Sequence, residues 1–570
     1  MISYKEKIAD ILAPHIEGLE AGEIMSMIEK PADSKMGDYA FPCFKLAKVL
    51  RKAPPLIAKS IAEAVKDDDM FEKVENVNAY VNMFISREGF AAEVIKEVLE
   101  KGDDYGRSDM GKGRKVIVEY SSPNIAKPFH IGHIRSTVIG NSIYKIYDFL
   151  GYDTMRINHL GDYGTQFGKM ICAYRRWGNK EDVMKEPIKS LLSYYTKFHE
   201  EAEKDPSLED EARAIFARLE RGEPEEVELW QWFRDESLKE FNRVYDMLDI
   251  TFDSYNGESF YSDKMPRFVN ELKEKGLLVE DDGAQIVKLD EYGLPPALIT
   301  KSDGSTLYIT RDIAAAVYRK ETYDFYKNIY VVASQQNLHF QQWIKVIELL
   351  GYEWAKDCIH VPFGLVSMEE GTMSTRQGRV IFLEDVLNRA VERTKQIIIE
   401  KNVNTEDIDE TAKQVGIGAV IFNELSNYRI KDYVFSWDKV LNFEGETGPY
   451  VQYTHARACS ILRNAGDDVV SRAAESFDAG YIVSESAHRL VSLIYEMPDV
   501  IVEAGEKYEP SIVTRHIVDI AQAFNKFYHD EHILVDDEAE KTAKVALVIA
   551  AKSAIKNGLG LLGMKAPEKM

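Results

Sequence analysis

The sequence has little cysteine: four residues in 570, Cys43, Cys172, Cys358 and Cys459, with no CxxC pair among them. That spacing excludes a disulfide framework, and the four thiols read as buried apolar side chains of a reducing compartment. Long apolar runs are also missing. No stretch of about 18 uninterrupted apolar residues occurs, so neither a transmembrane helix nor a membrane partner is expected. The first twenty residues, MISYKEKIADILAPHIEGLE, lack the apolar centre and small-residue cleavage site of a secretory signal, and a cytoplasmic location is expected. Positive charge is in deficit as well. The formal net charge is −24, which excludes a protein that coats nucleic acid by bulk attraction, and DNA is not expected as a partner. Residues 441–570 carry 13 Lys and Arg against 20 Asp and Glu. RNA bound there would have to rely on stacking and specific contacts more than on charge.

At this length two to four domains are expected. Residues 1–108 read as an α+β unit: a helical start, a Pro- and Gly-punctuated stretch, a helix over 56–65 and the alternating run YVNMFIS. Residues 109–385 alternate strands (KVIVEY, DTMRINHLG, NIYVVASQQ, CIHVPFGLVS) with helices (IGHIRSTVIGNSIYKIYDFL, QQWIKVIELLG). That order predicts an α/β fold, a Rossmann-like doubly wound parallel sheet. A charged helical insertion is expected over about 179–240. Residues 386–570 show almost only helical periodicity and predict an all-α bundle.

The strongest motif is SSPNIAKPFHIGHIRST at 121–137. It follows a predicted strand and opens a helix, so it lies where α/β folds bind ligands. Pro128 suits a first helical turn. His130 and His133, three apart, share a helix face and can point donors at an anion near the helix N-terminus. Gly132 allows a flat ligand close to the backbone. An isolated HxxH is more often structural than functional, and no third or fourth ligand at a usual spacing supports a metal. The GxGxxG at Gly558–Gly563 ends a helix and opens none, so it reads as a helix stop. A second glycine-rich segment, RINHLGDYGTQFG at 156–168, contains Asn158-His159, Gly161-Asp162, Gly164 and Gln166.

His130-Ile131-Gly132-His133 matches the HIGH signature of class I aminoacyl-tRNA synthetases, and its surroundings resemble the arginyl branch. The other class I signature is a lysine-rich KMSKS loop. Its counterpart here is Thr372-Met373-Ser374-Thr375-Arg376, with Thr at both lysine positions. The MSTR pattern resembles the arginyl branch, in which a lysine just before HIGH takes over the missing charge; Lys127 stands there. Lys35-Met36-Gly37-Asp38 lies upstream of HIGH and is set aside as a look-alike. Its context, SKMGDYAFPCFKLAK, resembles the N-terminal extension that contacts the outer corner of tRNA. GETGPYVQYTHARACSILR at 445–463 resembles the start of the anticodon-binding domain.

The resemblance spans nearly the whole chain. It implies arginine, ATP with Mg²⁺ bound mainly through the nucleotide, and tRNA(Arg) as ligands, with no protein-held metal. Lys127, His130 and His133 would serve the phosphates, and Gly132, Met373, Ser374 and Arg376 would complete the ATP site. A guanidinium needs carboxylates in a planar, bidentate arrangement. The resemblance places Glu119, Tyr308 and Asp312 around it, with Asn124, His130 and Gln336 at the amino acid's polar end. Pattern alone does not separate Gln335 from Gln336. Tyr450, Tyr453 and Arg457 are spaced to share one helix face that could stack bases, against the alternative of an aromatic core stripe. Phe524, Tyr528 and the terminal Met570 also match the tRNA-binding pattern. Three rivals remain. Another HIGH-type synthetase such as the cysteinyl enzyme would need a Cys and His zinc cluster that is not visible. A tRNA-binding paralogue without charging activity would be expected to lose HIGH or Asp312. An RNA-independent nucleotidyltransferase would lack the GPYVQYTHAR tail.

Overall fold

KVIVE forms the first strand of a four-stranded sheet, β1 (Lys115–Glu119), and Val116 to Glu119 are all buried. A strand covered on both faces loses the polar alternation of a half-exposed one. Helix α1 (Gly132–Phe149) leads to β2 (Asp153–Ile157), which pairs with β1 in parallel. Helix α2 (Tyr308–Tyr323) then leads to β3 (Lys327–Ala333) on the other side of β1, and α3 (Asn337–Leu349) leads to β4 (Cys358–Phe363) outside β3. The order is β4-β3-β1-β2, all parallel, as expected for a doubly wound fold. The winding reverses between β1 and β3, and a crevice opens there beyond the carboxyl ends of the strands. This computed structural model describes residues 3–31, 33–301, 308–368, 381–400, 407–442 and 445–570.

Helix α1 lies close on the sheet because Gly140 faces Tyr120; a Cβ there would come within 2.1 Å of the Tyr120 Cβ. The helix starts at Gly132, later than the sequence implies, and Pro128 precedes it. Residues 129–131 are instead tied to 381–383: Ile131 N–H donates to Ile381 O (3.1 Å) and Leu383 N–H to Phe129 O (2.9 Å). Those pairings take up backbone groups that a first helical turn would use.

Between β2 and α2 runs a helical layer of Thr165–Trp177, Lys180–Lys185, Pro187–Ala202, Ser207–Glu220 and Pro224–Leu248. It has its own core of Ile171, Leu191, Phe198, Ile215 and Phe233. Proline opens two of these helices, at Pro187 and Pro224, where no N–H partner is needed. A small antiparallel sheet of Leu278–Asp281, Ala284–Val287 and Ala297–Thr300 follows. The sequence reading did not anticipate it, although Asp282-Gly283, both at positive φ, is a tight-hairpin turn.

Two compact units divide the chain. One comprises Met1–Gly106, Arg457–Asp499 and Asp519–Asn557; the other comprises Arg107–Ala456, Val500–Val518 and Gly558–Met570. In the first, Tyr39–Pro42, Tyr80–Ile85 and Phe71–Val77 form an antiparallel sheet in that order. Beyond residue 386 the regular elements of the described chain are helices except for the strand Tyr433–Phe435, which pairs in parallel with Val366–Met368. The glycine run at 558–563 closes the helix Glu538–Leu561, with Gly563 at φ +75°, as a stop should. All four cysteines are free and buried. No helix among the described residues is long and apolar enough to cross a membrane.

Candidate functional site

The loop from β1 to α1 carries three non-glycine residues at positive φ: Ser121 (+69°), Ser122 (+47°) and Ala126 (+57°). Such conformations persist only where neighbours enforce them. Here Ser121 N–H donates to Ser136 Oγ (2.9 Å), whose hydroxyl donates to Val331 O (2.8 Å). Ser121 Oγ also meets Tyr245 OH (2.8 Å), and Ala126 N–H donates to Ser237 Oγ (2.9 Å). The loop walls one side of a cavity of about 470 Å³ at the β1/β3 crevice. Ser121, Ser122, His130, Gly132, His133 and Ser136 line that side, and 331–333 with 363–367 line the other, mostly with apolar atoms. Size and lining suit a nucleoside.

Both signature histidines accept backbone hydrogen bonds at Nδ1, His130 from Gly132 N–H (3.1 Å) and His133 from His130 N–H (3.1 Å). A backbone N–H only donates, so His130 Nδ1 is the acceptor and its Nε2 carries the proton; His133 Nδ1 also lies 3.2 Å from His130 O and so faces a donor and an acceptor alike. Burial holds His130 below the ordinary histidine range. It pushes His133 down to about 3, helped by the neighbouring His130. At neutral pH the pair is uncharged, with rings 4.0 Å apart. Lys127 is half-buried, which lowers its pKa against the opposing pull of Glu258. It makes no ion pair within 4.0 Å with a described carboxylate.

On the other side of β1 the side chains are charged. Glu119, 6 % exposed, is met by Arg319 of α2, with Nη1 2.6 Å from Oε2. Arg319 also donates to His159 Nδ1 (3.3 Å) and lies between Tyr261 and Tyr330. Asp312 is in the second turn of α2, and its Oδ2 lies 2.5 Å from His339 Nε2 of α3. Tyr308 opens α2 and is 57 % exposed. Asn124, also exposed, forms a bridge to Gly161, where a Cβ would come within 2.4 Å of Asn124 Oδ1. That contact explains the glycine in NHLGD. Gln335 and Gln336 both lie exposed in the short turn after β3.

The sequence reading missed the partners of its acids. Arg319, His339, Arg311 and Glu258 were not singled out, although Arg319 stands seven residues from Asp312, two turns along one helix face. Asp162 is buried and fully engaged, accepting from Ser259 N–H (2.8 Å), Ser259 Oγ (2.9 Å) and Arg234 Nε (3.3 Å). It anchors the segment that carries Glu258. Burial pushes Glu258 up to about 7, although Arg311 lies 3.3 Å away.

In the tail, Tyr450 and Tyr453 sit in the first half of α4 (Gly448–Ala465), Tyr450 half-buried and Tyr453 41 % exposed. Gln452 and His455 of the same helix hold the C-terminal segment through Lys565 O (2.9 Å) and Pro567 O (3.0 Å). Met570 ends that segment, partly exposed. Arg457 donates to Asn525 and lies over the Tyr528 ring (5.3 Å), which is 45 % exposed. Phe524 requires a correction. It is 0 % exposed, so its ring is spent on the core and cannot stack on a base. Met373, Ser374 and Arg376, with the whole 372–376 segment, lie outside the described residues.

The chain matches three family models: an arginyl-tRNA synthetase N-terminal domain over 3–85, the class I (R) tRNA synthetase catalytic domain over 94–437 and a DALR anticodon-binding domain over 451–570. It is 59 % identical to the arginine–tRNA ligase of Halothermothrix orenii and 60 % identical to that of Clostridioides difficile, in each case over all 570 residues and the full length of both chains. Its fold is that of the Thermus thermophilus arginyl-tRNA synthetase structure, with a TM-score of 0.81, 24 % identity and 99 % of each chain covered. The chain belongs to the arginyl-tRNA synthetases of class I.

Proposed function

We propose that the chain activates L-arginine with ATP and transfers it to the 3′ end of tRNA(Arg). The observation that carries the reading is the pairing, across the end of β1, of a nucleoside-sized cavity faced by two neutral histidines with a pocket of carboxylates. ATP lies in the cavity, with Gly132 under the base and His130 and His133 toward the phosphates. Arginine lies beside it, its guanidinium on Asp312 and the remaining oxygen of Glu119, with Tyr308 across. Its polar end is held by Asn124, His130 and a glutamine at 335 or 336. Met373, Ser374 and Arg376 complete the nucleotide site.

The arginine carboxylate attacks the α-phosphorus, the bond to pyrophosphate breaks, and arginyl-adenylate forms. The terminal ribose hydroxyl of tRNA then attacks the adenylate carbonyl and AMP leaves. Neither step needs a strong side-chain base; position and charge stabilisation suffice. Lys127 supplies the positive charge facing the departing pyrophosphate. Mg²⁺ would ride on the ATP phosphates. Residues 1–108 would contact the outer corner of tRNA, 109–385 would carry the chemistry, and 386–570 would bind the anticodon through Tyr450, Tyr453, Arg457, Tyr528 and Met570. The cytoplasm is the location that suits this work. Pyrophosphate exchange with each of the twenty amino acids, with and without tRNA, tests the reading. Arginine alone should support exchange, strongly only with tRNA. Equal exchange with cysteine or glutamine would overturn it.

A further inference from the structure

Four acids around the end of β1 share one electrostatic neighbourhood. His159 senses Glu119, Asp312 and Asp162 together, and Glu258 senses Asp312 and Asp162. Three of the four face an arginine of the chain itself: Glu119 with Arg319 at 2.6 Å, Glu258 with Arg311 at 3.3 Å and Asp162 with Arg234 at 3.3 Å. A guanidinium is charged at every relevant pH, so each of these three acids faces a fixed positive charge. Asp312 is the exception. Its partner is an imidazole, His339 Nε2 at 2.5 Å from Oδ2, and the two side chains keep 32 % and 25 % of their surface open. An imidazole reaches a carboxylate through one nitrogen at a time, whereas an arginine could engage both oxygens of Asp312 at once.

We propose that His339 is a positioning residue for guanidinium recognition: it fixes Asp312 through Oδ2 and leaves Oδ1 for the side chain of the substrate. This rests on reading Asp312 as a carboxylate that receives arginine. The ring is held for the task from the first turn of α3, edge-on to Phe340, which itself stacks on His360 at 4.0 Å. Of the four acids, Asp312 is the one with no arginine among its described ion-pair partners.

The test is steady-state aminoacylation by the full chain with tRNA and ATP, measured for Asp312→Asn, His339→Ala, His339→Asn and His339→Gln. His339→Ala should raise the KM for arginine about tenfold, the scale of one charge-assisted hydrogen bond, with kcat and the KM for ATP close to the parent. His339→Asn keeps an amide but is too short to reach, and should behave the same way if the alanine variant folds poorly. His339→Gln keeps an N–H at similar reach and should stay within about threefold of the parent. If Asp312→Asn raises the KM for arginine and neither short His339 variant does, His339 is not a positioning residue and the proposal falls. The proposal also falls if all three His339 variants raise both KM values and lower Tm together, because that pattern marks a structural role. If Asp312→Asn itself leaves the KM for arginine at the parental value, the underlying reading of Asp312 fails instead.

Discussion

The two halves of the crevice solve recognition in different ways. The side proposed for the nucleotide is lined by neutral groups: backbone bent into left-handed turns, serine hydroxyls, and two histidines that burial keeps uncharged. The side proposed for arginine is built from four acids, three of which already face arginines of the chain. The contrast follows from the ligands. A triphosphate brings its own charge and counter-ion, so neutral donors hold it without a large desolvation penalty, and one lysine suffices where charge develops. A guanidinium must find a carboxylate, yet several unpaired acids in one pocket would repel one another. The chain's own arginines relieve that repulsion.

Lys127→Ala should break the nucleotide side most severely. Lys127 is the lysine just ahead of His130, and if it serves the leaving pyrophosphate as proposed, kcat for adenylate formation should fall by roughly 10²–10³ with a smaller change in the KM for ATP. Pre-steady-state adenylate formation reads this directly. Thr372→Lys in that background should restore part of the rate; a Lys127→Ala enzyme within about fivefold of the parent would leave the charge unassigned.

On the arginine side the two acids should separate. Asp312→Asn should raise the KM for arginine by about ten- to a hundredfold with little change in Tm, since it loses a charged hydrogen bond in a partly open site. Glu119→Gln strips a buried guanidinium of its partner, so it should cost on the order of 3–5 kcal/mol in stability as well as weakening arginine. Thermal melts beside arginine titrations distinguish them, and equal Tm losses would erase the difference.

The tail gives a milder contrast. Tyr453→Ala should weaken tRNA charging by about 1–3 kcal/mol if the exposed ring stacks on a base. Phe524→Ala should instead cost about 3–5 kcal/mol of stability through the cavity it leaves, read as a lower Tm. Normal charging kinetics for folded Tyr453→Ala would remove that ring from the RNA surface.

The smallest effect concerns pH. His133 titrates near 6.5 when unfolded and about 3 when folded. Between those values the unfolded chain binds the extra proton, so stability rises with pH and is lost as pH falls below about 6.5. The loss should be on the order of 1–2 kcal/mol at pH 5. His133→Asn should flatten the slope of Tm against pH; an unchanged slope would show that the imidazole is not held neutral.

Much of this site can be read before any coordinates are known. The alternation of apolar runs with helical periods dictates the parallel sheet, and a motif that follows β1 and opens α1 must lie at its carboxyl end. Both are local or short-range properties: periodicity, turn residues and chain order. Asp282-Gly283 also carried a hairpin signal in two adjacent letters. Pairing across distance is a different matter. Glu119 meets a guanidinium 200 positions away and Asp312 an imidazole 27 positions away, and no spacing rule connects them. Phe524 and Tyr528 are four residues apart on one helix, yet one ring is fully buried and the other 45 % exposed, a distinction set by what packs against each. By itself the sequence determined the elements, their order and the groups that carry the chemistry. Only the tertiary structure decided which charges cancel and which remain, because Coulomb and packing forces act through space and are indifferent to position along the chain.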